Sequence, residues 1–150
     1  MALGLRMGTL SHSIATLRFF GDDLVPEEVS ALLCGAPTFS CLMGQVRIAP
    51  RTGHVYTAKT GSWRLRATRR EPEDLEAQVF EILDQLSQDL GVWADLSSRY
   101  EPDLFCGIFM ASSNDSLPLS ASALCALGQR GVALSLDIYD SDDERLGAEP

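Results

Sequence analysis

From Ser13 to Phe20 the chain alternates, with Ile14, Thr16, Arg18 and Phe20 in one set and Ala15, Leu17 and Phe19 in the other. A period of two predicts a strand with one face turned to a core. Gly21-Asp22-Asp23 stops it, and Pro26-Glu27-Glu28 opens a helix. Proline is comfortable in a first helical turn, and early carboxylates complement the positive end of the helix dipole. Val29, Leu32 and Leu33 supply an inward face, and Gly35-Ala36-Pro37 ends the helix. Strands are expected over 38–49 and 54–69, joined through Ala49-Pro50-Arg51-Thr52-Gly53, with Gly61-Ser62 bending the second into two. In that second segment Trp63, Leu65 and Ala67 alternate with Arg64, Arg66 and Thr68, so one face is core and the other carries guanidinium groups.

From Pro72 to Arg99, Leu75, Val79, Ile82, Leu83, Leu86, Leu90, Trp93 and Leu96 recur at steps of three and four. This predicts one long helix, with Gly91 as the place where it bends or divides. An apolar run over 103–112 predicts a strand buried on both faces. Leu117 to Leu127 read as a third helix ended by Gly128 or Gly131, and 132–139 as a last alternating strand. The expected fold class is α+β, a single domain with a mostly antiparallel sheet of about five strands on two or three helices. The order is β-α-β-β-α-β-α-β, ferredoxin-like in part. The domain is expected over 13–139, after a flexible leader (1–12) and before an acidic flexible tail (140–150).

At 150 residues, 45% of them hydrophobic, the chain suits one core. Charge changes the picture more. Seven of the twelve Lys and Arg residues (Arg47, Arg51, Lys59, Arg64, Arg66, Arg69, Arg70) lie between 47 and 70, a stretch with no Asp or Glu. The remainder sets five basic residues against twenty-one acids, so a chain of net charge −9 is a basic segment inside an acidic body. The overall field opposes nonspecific adhesion to duplex nucleic acid or an anionic membrane. No run approaches the roughly 18 apolar residues of a spanning helix. Met1 to Arg6 lacks the apolar centre of a signal peptide, so the expected location is the cytoplasm.

Candidate chemistry is sparse. Cys34, Cys41, Cys106 and Cys125 form no C-x-x-C pair, and only His12 and His54 are available beside them. No metal and no cofactor are expected. The thiols read as small buried hydrophobes, with Cys106 and Cys125 fitting best, while Cys34 and Cys41 flank a loop where they could approach each other. Asp22-Asp23 is a carboxylate pair at a strand end, suited to a turn or, with Asp137 or Asp140, to an oxygen-ligand site. Cys41 with His54 is the only nucleophile and base pairing to weigh. With no Walker loop, nucleophile elbow or dinucleotide fingerprint, no catalytic residue is assigned and no enzyme is expected.

Leu17-Arg18-Phe19-Phe20-Gly21-Asp22-Asp23-Leu24, Pro26-Glu27-Glu28-Val29, Ala36-Pro37-Thr38, Gly44 and Gly61-Ser62-Trp63 together resemble the bacterial family called domain of unknown function 4279. The similarity spans about Ser13 to Tyr139. Val25 and Met43 depart from the pattern, which favours an acid before the proline and a lysine before the loop glycine. The resemblance implies an α+β domain and supplies no catalytic residues.

The expected function is a non-catalytic protein-binding module, in particular an immunity protein that neutralises a cognate bacterial toxin by charge-complementary binding. The candidate partner-binding residues are the acids Glu76, Glu81, Asp84, Asp95, Asp140, Asp142, Asp143 and Glu144. The alternative is a basic face of Arg47, Lys59, Arg64, Arg66 and Arg69, reaching into an acidic site. Nucleic-acid or phosphate-ligand binding through strands 47–70 is the second reading, weakened because Trp63 faces away from Arg64 and Arg66. An enzyme using Asp22 and Asp23 is the third. Self-pairing of the arginines with the Glu-rich helix would move the interface to the acidic side.

Overall fold

The central element of the computed structural model, which describes residues 8–141, is the ten-residue strand β2, His12–Gly21. A two-residue bridge, β1 (Gly8–Thr9), precedes it, so pairing already begins within the stretch expected to be a leader. Chain order continues with α1 (Pro26–Leu33), β3 (Phe39–Cys41), β4 (Val46–Ile48), β5 (Val55–Thr57) and β6 (Gly61–Arg66). Then come α2 (Leu75–Asp84), α3 (Leu90–Tyr100), β7 (Asp103–Phe109), β8 (Asp115–Ser116), α4 (Ala121–Gln129) and β9 (Ala133–Tyr139).

Five strands form one sheet in the order β3-β6-β2-β7-β9. All neighbours are antiparallel except β7 and β9, which α4 joins as a parallel pair. Its first four strands, with α1 and then α2 and α3 as crossovers, have the order of a ferredoxin-like double split β-α-β. β4 and β5 form a separate hairpin, and β1 pairs in parallel with β8.

The pleat divides the sheet. Ala15, Leu17, Phe19, Trp63, Leu65, Leu104, Cys106 and Ile108 face the helices and pack with Val29, Leu33, Val79, Ile82, Leu83, Trp93, Leu96, Ala123 and Leu127 in one core. Trp63 is fully buried, and its Nε1–H donates to Ser30 Oγ at 2.9 Å. The first polar group on this face, Ser13, is satisfied by Gln78: its hydroxyl donates to Gln78 Oε1 at 2.7 Å, and Gln78 Nε2 donates to the carbonyls of Ser13 and Thr68. Gly61 begins β6 because a Cβ there would lie 2.7 Å from the Gly21 carbonyl oxygen.

Several expected boundaries shift. The segment 38–49 divides into β3 and β4, whereas 54–69 divides in two as expected, into β5 and β6 with the break just ahead of Gly61, and each strand is shorter than the alternation implies. The long helix is two helices, broken at Gln85–Asp89 rather than at Gly91. Side chains hold the break: Gln88 Nε2 donates to the Leu83 and Leu86 carbonyls, Asp89 caps α3 by accepting from Gly91 N–H, and Trp93 Nε1–H donates to the Ser87 carbonyl. Both helices turn the same side to the core, so the apolar rhythm runs through the break. Among the described residues the helices number four with α4, one more than the upper expectation. The third expected helix starts later, after the Ser120 N-cap.

Candidate functional site

Among the described residues no helix covers the second face of the sheet. Register places Phe39 and Cys41 of β3, Ser62, Arg64 and Arg66 of β6, Thr16, Arg18 and Phe20 of β2, and Asp103 and Phe105 of β7 on it together. Arginine and phenylalanine interleave across it. The Arg18 guanidinium carbon lies 4.4 Å from the Phe105 ring centre and 5.2 Å from that of Phe20. That of Arg64 lies 5.3 Å from Phe20 and 5.1 Å from Phe39, and that of Arg47, from the hairpin, lies 4.5 Å from Phe39. Each contact sets a cation against the negative face of a ring, which orients the guanidinium.

These arginines differ in their partners. Arg18 is neutralised by a bidentate pair with Asp103, Nε to Oδ1 at 2.8 Å and NH2 to Oδ2 at 2.6 Å. Arg47 donates to the Ser40 carbonyl at 3.3 Å. Arg64 stands directly across the ladder from Arg18, and it has no carboxylate partner among the described residues. Its Nε is buried without a hydrogen-bond partner. Burial and then the Arg18 charge push the Arg64 guanidinium below its ordinary pKa. Because Asp103 offsets the charge of Arg18, the local cost to the fold is chiefly the burial of the Arg64 guanidinium with its Nε unbonded.

The rest of the basic stretch is used internally or lies apart. Arg70 NH2 pairs with Glu81 Oε1 at 3.0 Å, and Arg69 NH1 with Glu71 Oε2 at 2.6 Å. Lys59 is exposed in the turn between β5 and β6, and Arg66 shares the open face with Thr16. The question of self-pairing therefore has a divided answer. Residues 69 and 70 are paired with acids, whereas Arg64 is kept from the helix layer by the sheet itself.

The acidic candidates are more engaged than their sequence pattern implies. Glu76 accepts the Ser120 N–H at 2.7 Å, and bonding from the Ser120 side chain and then from this N–H lowers its pKa. Glu81 accepts the Thr68 N–H at 2.6 Å, the Thr68 hydroxyl and Arg70, so its pKa falls although burial acts to raise it. Asp95 pairs with Arg99 at 3.2 Å, while Asp84 is exposed at the end of α2. Asp140 follows β9, and Asp142, Asp143 and Glu144 lie outside the described residues.

Asp22 and Asp23 occupy an exposed turn beyond the Gly21 end of β2, while Asp137 pairs across β7 at the opposite end and bonds the Tyr139 hydroxyl at 2.9 Å. The structure does not bring these carboxylates together. His12 stacks on Phe109, centroids 4.0 Å apart, and Phe109 on Tyr139 at 4.7 Å. His54 is exposed beside the hairpin turn, whereas Cys41 is buried against the Thr60 carbonyl and Ser62 hydroxyl. Cys106 is buried and its thiol is pushed up to about 12 by burial. Cys125, expected inside, is exposed, because α4 turns Ala123 and Leu127 inward instead.

Phe20, Phe39, Phe105 and Asp103 are site residues that sequence reasoning did not select. Arg18 and Phe20 share a parity within the first strand, which was a legible signal. Phe105 lay within a run read as buried on both faces, and its pairing with Arg18 depends on the register of β2 with β7.

Among the described residues no helix is long and apolar enough to cross a membrane. No curated protein and no solved structure matches this chain. The model of a family described as Domain of unknown function (DUF4279) matches residues 10–141, nearly the whole of the described fold, and the chain belongs to that family.

Proposed function

We propose that this chain is a non-catalytic protein-binding module that docks through the open face of its sheet. Arg64 reaches an acidic group on the partner, and the form we favour is an immunity protein covering the acidic centre of a cognate toxin. The observation that carries this reading is Arg64 itself, a half-buried guanidinium held between Phe20 and Phe39, opposite Arg18, with no carboxylate partner among the described residues. Arginine and aromatic side chains dominate binding hot spots because they combine desolvated area with directional donors. A partner carboxylate would give the buried, unbonded Arg64 Nε–H an acceptor at the moment of docking, so the local cost to the fold becomes a gain in binding. The basic side is preferred to the acidic one because Glu76, Glu81 and Asp95 already have internal partners. It is preferred to nucleic-acid binding because the guanidiniums occupy the rings on which bases would stack.

Co-expression with the product of the adjacent gene tests this. Rescue of growth and co-purification are expected for the native chain, with both lost in Arg64→Glu and kept in Glu76→Gln. Co-purification that survives Arg64→Glu would move the interface off this face. Absence of both rescue and co-purification, together with salt-sensitive binding of a single-stranded oligonucleotide, would replace the protein partner by nucleic acid.

A further inference from the structure

The two edges of the five-stranded sheet are built differently. β3 is only three residues long, and the Arg47 guanidinium caps the carbonyl of Ser40 on it. Short, covered edges of this kind are the usual protection against unwanted strand pairing. β9 has none of that protection. All seven of its residues, Ala133 to Tyr139, pair with β7 on one side, and among the described residues no strand pairs with the other. The strand Ala-Leu-Ser-Leu-Asp-Ile-Tyr contains no Lys, Arg or Pro, and its one charge, Asp137, accepts a hydrogen bond from the Tyr139 hydroxyl. On the helix side, Leu136 is 40% and Ile138 62% exposed, and the neighbouring α4 exposes Leu124. An edge that is long, regular and apolar invites a further strand.

We infer that this edge pairs antiparallel with the β9 of a second copy of the chain, extending two five-stranded sheets into one of ten. The argument is self-complementarity under a two-fold axis. An axis normal to the sheet keeps each side chain on its own face, so residues can only meet partners of the same parity. Centred on Leu136, the pairing uses all seven residues: Leu136 meets Leu136, Leu134 meets Ile138, Ser135 meets Asp137, and Ala133 meets Tyr139. The helix side becomes a six-residue apolar strip, and the open side sets each Asp137 carboxylate beside a Ser135 hydroxyl donor. Moving the centre to Asp137 would oppose two carboxylates, and moving it to Ser135 would set Ile138 opposite Val132, outside the strand, and shorten the pairing to 133–137. One register therefore satisfies both faces. This surface is separate from the Arg64 face and does not depend on the binding role proposed for it.

The test is sedimentation of the full chain over a wide concentration range, with a cysteine trap. In a Cys34→Ser, Cys125→Ser background, Leu136→Cys places the new thiols opposite each other, within the Cα separation that a disulfide spans. A disulfide-linked dimer is expected under mild oxidation, and Leu136→Lys is expected to weaken dimerisation by at least about tenfold, since two ammonium groups then meet at the axis. Circular dichroism establishes that Leu136→Lys, at a partly exposed position, remains folded. A full chain that sediments as a monomer throughout, or a dimer that neither forms the Leu136→Cys link nor weakens in Leu136→Lys, overturns the inference.

Discussion

Phe19 and Phe20 are neighbours on one strand, yet they belong to different chemistries. Phe19 is fully buried in the helix-covered core, where it meets Trp63 edge-on at 5.7 Å. Phe20 lies half-buried on the open face beneath two arginines, 5.2 and 5.3 Å from its ring centre. On the covered face the buried Ser13 and Gln78 satisfy one another and the neighbouring carbonyls. The open face keeps Arg64 with a buried, unbonded Nε and no carboxylate partner among the described residues. That difference is why the proposed docking is assigned to the open face, while the covered face is assigned to stability.

The largest expected effect breaks this comparison directly. Phe19→Ala should destabilise the fold by about 3–5 kcal/mol, since it removes a buried ring and leaves a cavity. Phe20→Ala should cost roughly 1 kcal/mol, the scale of a cation–π contact with some lost packing. Urea denaturation of the two variants measures the ratio, and equal losses would mean that the open face is as much core as the covered one.

Next in size is Gln78→Met, which keeps the volume and removes the amide. It leaves the Ser13 hydroxyl without its acceptor and the Ser13 and Thr68 carbonyls without the Nε2–H donor. A loss of about 1–3 kcal/mol is expected. A neutral result in the same denaturation experiment would show that water replaces the amide, and that the covered face is wetter than its packing implies.

Much of this was legible in the chain. The parity that sets Arg64 and Arg66 against Trp63 and Leu65 reads directly from alternation, because a pleated strand has no other way to place them. The α+β class and the last strand, placed at 132–139 and found at 133–139, followed from period and turn residues. What could not be read lay between strands. Arg18 meets Asp103 eighty-five residues away because β2 runs antiparallel to β7, and the ring shared by Arg47 and Arg64 depends on how the β4–β5 hairpin folds toward β3. The helix break escaped for a different reason. Caps at Gln88 and Asp89 are local hydrogen bonds, whereas the apolar rhythm reports only which side faces the core.

The smallest expected effect sits where the two faces meet. Glu81, on the helix layer, reaches the basic stretch and accepts bonds from Thr68 and Arg70. Burial acts to raise its pKa, but these donors outweigh burial and hold it below the ordinary 4.5. A carboxylate whose folded pKa is depressed binds protons less readily than in the unfolded chain, so its contribution is present above pH 4.5 and lost as pH falls through the folded value. For a partly exposed pair this amounts to about 0.5–1 kcal/mol at neutral pH. Glu81→Gln keeps the shape and removes the charge. The stability difference between native chain and variant should therefore be constant from pH 8 to about 6, then shrink below pH 4.5 as the native carboxylate is protonated. Denaturation curves collected across that range measure it, and a difference independent of pH would mean that Glu81 holds Thr68 and Arg70 as a neutral acceptor rather than as a charge.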